Sequence, residues 1–248
     1  MLPPEGITKD HQSDTLSLLG DLNRIHQKSH PAHADLEARI ESYELAFRMQ
    51  AQMPGAIAID KEPEALRRSY GIGAKPSDPF GRRCLLARRL VERGVRFVQV
   101  ISSGWDSHDD IATAHANRMR AVDQPIAGLL QDLKQRGLLD STLVVWAGEF
   151  GRSPDNGMRQ GGQAWGRDHN ATAMPMWFAG GGVKRGAVVG ATDDIGQKAV
   201  AVAHPVRNVH VTILHLLGLN DAKLTYFHAG RFKQLSQIGG AVIRDLLA

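Results

Sequence analysis

The sequence predicts an α/β fold with a mostly parallel sheet, and three observations in the middle of the chain predict it. Val95-Arg96-Phe97-Val98-Gln99-Val100-Ile101 reads as a strand that follows the helix terminator Gly94. A long helical pattern comes next, with Met119, Val122, Ile126, Leu129, Leu130 and Leu133 on one face, a kink near Pro125 and a stop at Gly137. Thr142-Leu143-Val144-Val145-Trp146-Ala147 is then a second strand, apolar enough to be buried on both faces. A strand, helix, strand unit of this length joins parallel neighbours through a right-handed crossover.

The flanking elements follow from the same periodicities. Ser13 or Asp14 is placed to cap a helix whose Leu16, Leu19, Leu22 and Ile25 form one stripe. A second helix follows Pro31, with Leu36, Ile40, Tyr43 and Phe47 on its buried face. Met53-Pro54-Gly55 and Glu62-Pro63 break the chain into turns, with a short helix from Glu64 to Tyr70. Phe80 to Arg93 is helical again. There Cys84 shares a spacing with Phe80, Ala87 and Val91 that marks a small core residue, and Arg82-Arg83 and Arg88-Arg89 form a solvated face.

Beyond the second strand, Met174 to Gly180 is another strand candidate, and Gly180 to Gly186 turns into a hairpin around Val188 and Val189. Asn208 is placed to cap a helix with Val209, Ile213, Leu216 and Leu217 buried and Gly218 ending it, and Ala241 to Leu247 closes the chain as an apolar helix. The whole reads as one domain over residues 1–248, in which a helical segment, 13–93, precedes the strands that carry the site.

Composition narrows the function classes. The 30 Lys and Arg exceed 26 Asp and Glu only modestly and are dispersed without interleaved aromatics, so no nucleic-acid platform is expected. No apolar run is long enough for a membrane span, the first residues do not resemble a signal peptide, and the chain reads as soluble. A single Cys84 makes no internal disulfide.

The chemistry gathers at the ends of the strands, the edge where open α/β proteins place ligands. Asp106, His108, Glu149, Asp168 and His169 lie there, and carboxylate with imidazole suits zinc, manganese or iron. Asp106 or Asp168 capping a turn, with ordinary surface histidines, is the structural alternative. Arg152 and Arg167 flank the group and suit a sulfate or phosphate oxyanion, or else a surface ion pair. Trp105 and Trp165 are core residues or walls of a sugar cleft.

Four motifs in order add a resemblance: Gly104-Trp105-Asp106-Ser107-His108, Trp146-Ala147-Gly148-Glu149-Phe150-Gly151-Arg152-Ser153-Pro154, Gly166-Arg167-Asp168-His169 and the stretch Val209 to Leu219. Together they resemble the bacterial family called domain of unknown function fifteen-oh-one, which is sulfatase-like and sits within the alkaline phosphatase superfamily. The resemblance covers nearly the whole chain. It implies an alkaline phosphatase-like three-layer α/β/α sandwich with a mostly parallel sheet, incomplete at its amino terminus, and a divalent metal that is zinc, calcium, manganese or magnesium.

By that resemblance Asp106, His108 and His169 hold one metal, with Glu149 also a ligand. Glu149-Phe150-Gly151 falls where the superfamily has Asp-His-Gly, and phenylalanine cannot ligate, which puts a second metal in doubt. The implied activity is hydrolysis of sulfate or phosphate esters of small molecules or carbohydrates, and full-length relatives are often exported to the periplasm. The attacking Ser, Thr or modified Cys has no counterpart here. Cys84 lacks the sulfatase Cys-x-Pro-Ser-Arg setting, and Ser153 and Thr172 carry no motif. A non-catalytic metal-binding or interaction protein is therefore the alternative.

Overall fold

A computed structural model describes residues 6–29, 34–156, 166–236 and 239–248. The chain falls into two compact units, Met1–Glu62 and Pro63–Ala248, and the boundary lies within the helical segment expected over 13–93.

The first unit contains two long helices in mutual contact, α1 (Lys9–Ser29) and α2 (Ala34–Ile57). The cap of α1 is Thr8, whose Oγ1 accepts the His11 amide at 3.1 Å, so Ser13 and Asp14 lie inside the helix. Periodicity found the helix but not its surroundings: Leu19, Leu22 and Ile25 are exposed, as is Tyr43 of α2, while Ile40 and Phe47 are half-buried. α2 continues through Pro54 to Ile57, where the sequence suggests a break. Pro31 and the Leu36 side chain lie outside the described residues.

The second unit is built around three helices, α3 (Glu64–Ser69), α4 (Asp78–Glu92) and α5 (Ile111–Gln135). Tyr70, Phe80, Cys84, Leu85, Val122 and Leu133 bury their side chains there, as the 3.6-residue pattern of α4 and α5 requires. Met119, expected on the same stripe, is exposed. Arg88 corrects the reading of α4, because it is 1% exposed rather than solvated. Its Nη1 donates to Glu92 Oε2 at 2.7 Å, and its Nε lies 2.9 Å from Asp132 Oδ2 in an ionic contact that is not aimed as a hydrogen bond. Tyr70 donates its hydroxyl to the same Asp132 oxygen at 2.8 Å, and Arg136 Nε donates to Asp132 Oδ1 at 2.7 Å. Sequence periodicity cannot reveal a charge whose partner sits on another helix.

Cys84 is a core residue as expected, and burial pushes its thiol up to about 12. A thiol reagent at pH 8 is expected to label it only after denaturation. Because the folded thiol ionises later than the unfolded one, its stabilising contribution is complete below pH 9.0 and is lost as pH rises toward about 12. A urea-melt series over that range should show a slope in the natural chain that is shallower in Cys84→Ala, the buried Tyr70 hydroxyl supplying the part that remains.

The sheet expectation needs the largest correction. Every ladder among the described residues is two-stranded and antiparallel: β1 (Val144–Trp146) with β4 (Trp177–Ala179), β2 (Gly151–Arg152) with β3 (His169–Asn170), β5 (Ala191–Thr192) with β6 (Ala199–Ala201), and β7 (Thr225–His228) with β8 (Arg231–Gln234). Val95 to Ile101 forms no ladder, and Phe97 and Ile101 are exposed, so the parallel crossover is not formed. Val145 is 38% exposed, so β1 is not buried on both faces. The reason is geometric, since alternation with period two is the same for either strand direction and cannot reveal the partner's polarity.

The hairpin expected at Val188 and Val189 is displaced to β5 and β6. α6 (Val206–Leu216) starts after Pro205 and before the expected cap, and ends against Gly218 as predicted. Asn208 Oδ1 and Thr212 Oγ1 instead accept the amides of Ala241 and Ile243, at 3.0 and 2.9 Å. The closing segment is a short 3-10 turn, Arg244–Leu246, and not an α-helix. No helix among the described residues is long and apolar enough to cross a membrane.

Candidate metal centre

Three segments deliver the site. Ahead of α5, the Ser107 amide donates to Trp105 O at 2.9 Å, a three-residue turn with Asp106 at its apex. Trp105 anchors that turn: its Nε1 donates to Ser102 Oγ at 3.0 Å, and its ring packs edge-on against His115 and Trp146 at 5.4 and 5.7 Å. Trp105 is half-buried in these contacts. Trp165 lies outside the described residues.

The other two segments are β2 and β3, whose register sets Arg152 opposite His169. Residues directly opposite in a ladder share a face, so the guanidinium and the imidazole point the same way. Both reach one atom. Asp106 Oδ1 lies 2.7 Å from His169 Nε2, 2.8 Å from Arg152 Nη2 and 3.0 Å from His108 Nε2. The His169 and Arg152 contacts hold this carboxyl well below the usual carboxylate range. Asp106 is therefore an anion at any working pH.

One ligand atom from each of Asp106, His108 and His169 lies within 4.8 Å of the others, although Asp106 and His169 are 63 positions apart. Two imidazoles and a carboxylate match a three-protein-ligand catalytic metal site, in which bonds of about 2.0–2.2 Å place ligand atoms roughly 3.3 Å apart. The observed separations to Asp106 are shorter by a few tenths of an ångström, a spread that small side-chain shifts supply. Asp106 is 61% and His169 39% exposed.

Glu149 is not brought into this group among the described residues; it is exposed in the bend after β1. Its neighbour Phe150, which cannot ligate, packs its ring 4.5 Å from that of His169 and so helps fix the imidazole. The Arg152 guanidinium is bonded to Asp106 at 2.8 Å and to the carbonyls of Trp105 and Arg167, at 3.2 and 3.3 Å. The Arg167 side chain is exposed. His215 is exposed on α6.

Asn156 is a site residue that spacing did not reveal: it is 4% exposed and its Nδ2 donates to the His108 carbonyl. The candidate hydroxyls are committed elsewhere. Ser153 Oγ bonds within its own loop to Asp155 and Asp168, and Thr172 Oγ1 lies 2.6 Å from Asn170 Oδ1 and 2.7 Å from Gln197 O.

Against this geometry, a family model described as Protein of unknown function (DUF1501) matches residues 1–247. The chain belongs to the DUF1501 family. No curated protein and no solved structure matches it. Three of the four motifs that suggested DUF1501 supply the site: the first carries Asp106 and His108, the second Arg152, and the third Asp168 and His169. The fourth lies in α6, as a structural element.

Proposed function

We propose that this chain is the metal-binding portion of a sulfatase- or phosphatase-type hydrolase acting on sulfate or phosphate esters. The observation that carries the reading is the convergence of Asp106, His108 and His169 within 4.8 Å. The order of the motifs supports placing that group in an alkaline phosphatase-like α/β/α sandwich; the antiparallel ladders lend that placement no support. Asp106 supplies the negative charge and the two imidazoles supply nitrogen donors for zinc, manganese or another divalent ion. Arg152 holds the same Asp106 oxygen that faces both imidazoles, and Arg167 is exposed to take an ester oxygen. When bound, a divalent ion supplies Lewis acidity toward a sulfuryl or phosphoryl oxygen.

A second reading, a non-catalytic metal-binding protein, is favoured by the committed hydroxyls of Ser153 and Thr172 and by the buried, protonated Cys84. Catalysis requires an aligned nucleophile as well as an ion. Assay of the zinc- or manganese-loaded chain on aryl sulfate and aryl phosphate separates the two, turnover supporting the hydrolase and its absence the binding protein.

The shared premise is tested by metal content after dialysis against zinc or manganese. About one ion per chain is expected, with loss of that ion in both Asp106→Ala and His169→Ala. Equal metal content in both variants and the natural chain would reject the site.

A further inference from the structure

His108 has two ring nitrogens, and the structure separates their surroundings. Nε2 faces Asp106 Oδ1 at 3.0 Å, the direction in which the proposed ion would lie. Nδ1 is buried, makes no formed hydrogen bond among the described residues, and lies 3.4 Å from Asp168 Oδ1. An imidazole can ligate through Nε2 only when that nitrogen is unprotonated, so in the neutral ring the proton must sit on Nδ1. A buried Nδ1–H needs an acceptor, and Asp168 is the carboxylate beside it.

The Asp168 carboxylate is itself held in place. Its Oδ1 accepts the His169 amide at 2.8 Å. The Asp168 amide donates to Asp155 O at 2.9 Å and to Ser153 Oγ at 3.0 Å, and the Ser153 amide donates to Asp168 O at 2.8 Å. The loop between β2 and β3 thus fixes a carboxylate oxygen behind one proposed ligand while β3 supplies the other.

We infer that Asp168 is a positioning residue for metal binding: it accepts the Nδ1 proton of His108, orients the ring and leaves Nε2 free to ligate. This rests on the metal reading of the Asp106, His108 and His169 group. Carboxylates behind ligating histidines fix the tautomer and raise ligand basicity, and their removal lowers metal affinity by about 10–100-fold. The 3.4 Å separation is within reach of a hydrogen bond once the His108 ring and the Asp168 carboxylate are aligned.

The test uses the full chain and zinc alone. Zinc affinity is measured by competition with a chromophoric chelator for the natural chain, Asp168→Ala and Asp168→Asn, and the His108 ring protons are followed by NMR in the zinc-loaded proteins. The main-chain bonds at residue 168 survive both substitutions, and the asparagine variant keeps an acceptor oxygen in its side chain. Expected are a weakening of about 10–100-fold in Asp168→Ala and less than about tenfold in Asp168→Asn. A slowly exchanging, downfield His108 Nδ1–H resonance is expected in the natural chain, retained in Asp168→Asn and lost from Asp168→Ala. A natural chain that binds no zinc overturns the metal reading and this inference together. A natural chain that binds zinc while Asp168→Ala binds it equally, or keeps the Nδ1–H resonance, overturns the inference alone. Should Asp168→Ala fail to fold, Asp168→Leu, which also lacks an acceptor, takes its place, and zinc affinity or an Nδ1–H resonance equal to the natural chain's overturns the inference in the same way.

Discussion

Asp132→Ala is expected to destabilise the second unit by about 3–5 kcal/mol, the cost of breaking a buried ion pair from one side. Arg88 is 1% exposed and Asp132 4%, so the guanidinium cannot reach water when its partner is removed. Glu92 remains at 2.7 Å from Arg88 Nη1, but it is itself 36% exposed and screened, and it does not replace a buried counter-charge. Two further donors lose their acceptor in the same substitution: the Tyr70 hydroxyl, which burial and Asp132 keep protonated, and Arg136 Nε. A loss of this size is a large share of the roughly 5–15 kcal/mol that holds a domain together. Asp132→Asn keeps acceptor oxygen at the site and should cost less. Replacing Arg88 and Asp132 together by leucine or methionine should also cost less than Asp132→Ala alone, because no charge is then stranded. Urea melts of the four chains give the ordering, and Asp132→Ala at or above natural stability would refute it.

Gly166→Ala is expected to lower metal affinity on the order of tenfold or more while leaving the α4 and α5 core folded. A Cβ at this position would lie 1.5 Å from the His108 carbonyl oxygen, 2.1 Å from its carbon and 2.9 Å from the Asp109 amide nitrogen. All three are backbone atoms, so no side-chain rotation relieves the overlap, and one loop must move away from the other. Either movement separates His169 from Asp106 and His108. Gly148→Ala is the matched control, since a Cβ there meets only Phe150 O at an ordinary 3.5 Å. Chelator competition should show Gly148→Ala binding zinc like the natural chain and Gly166→Ala binding it weakly. Equal affinity in both would mean that the approach of the two loops does not matter to the site.

The close approach at Gly166 also shows how much of the site the sequence carried. The motif Gly166-Arg167-Asp168-His169 marked the histidine, and its residue types with Asp106 and His108 were sufficient to suggest a group whose ligand atoms lie within 4.8 Å of one another in the structure. What the motif could not show is why its first residue is glycine, because the atom it must clear belongs to a residue far earlier in the chain. Glu149 illustrates the converse. Its place after an apolar strand suggested a ligand at a sheet edge, but that inference needed a parallel sheet, and β1 pairs antiparallel with β4. The helices were legible where the apolar stripe is buried, as at Cys84 and Leu133, and misleading where it is exposed, as at Leu22 and Ile25. Arg88 was misread for the same reason: a helix pattern records which residues share a face and is silent about what lies against it.

The proposed sharing of one cation by Asp106, His108 and His169 is tested most directly by X-ray absorption at the zinc edge of the loaded chain. Two imidazole nitrogens at about 2.0–2.1 Å with oxygen completing the shell is the expected spectrum, falling to one imidazole in His169→Ala. A zinc shell of oxygen alone, or one unchanged by removing His169, would contradict it.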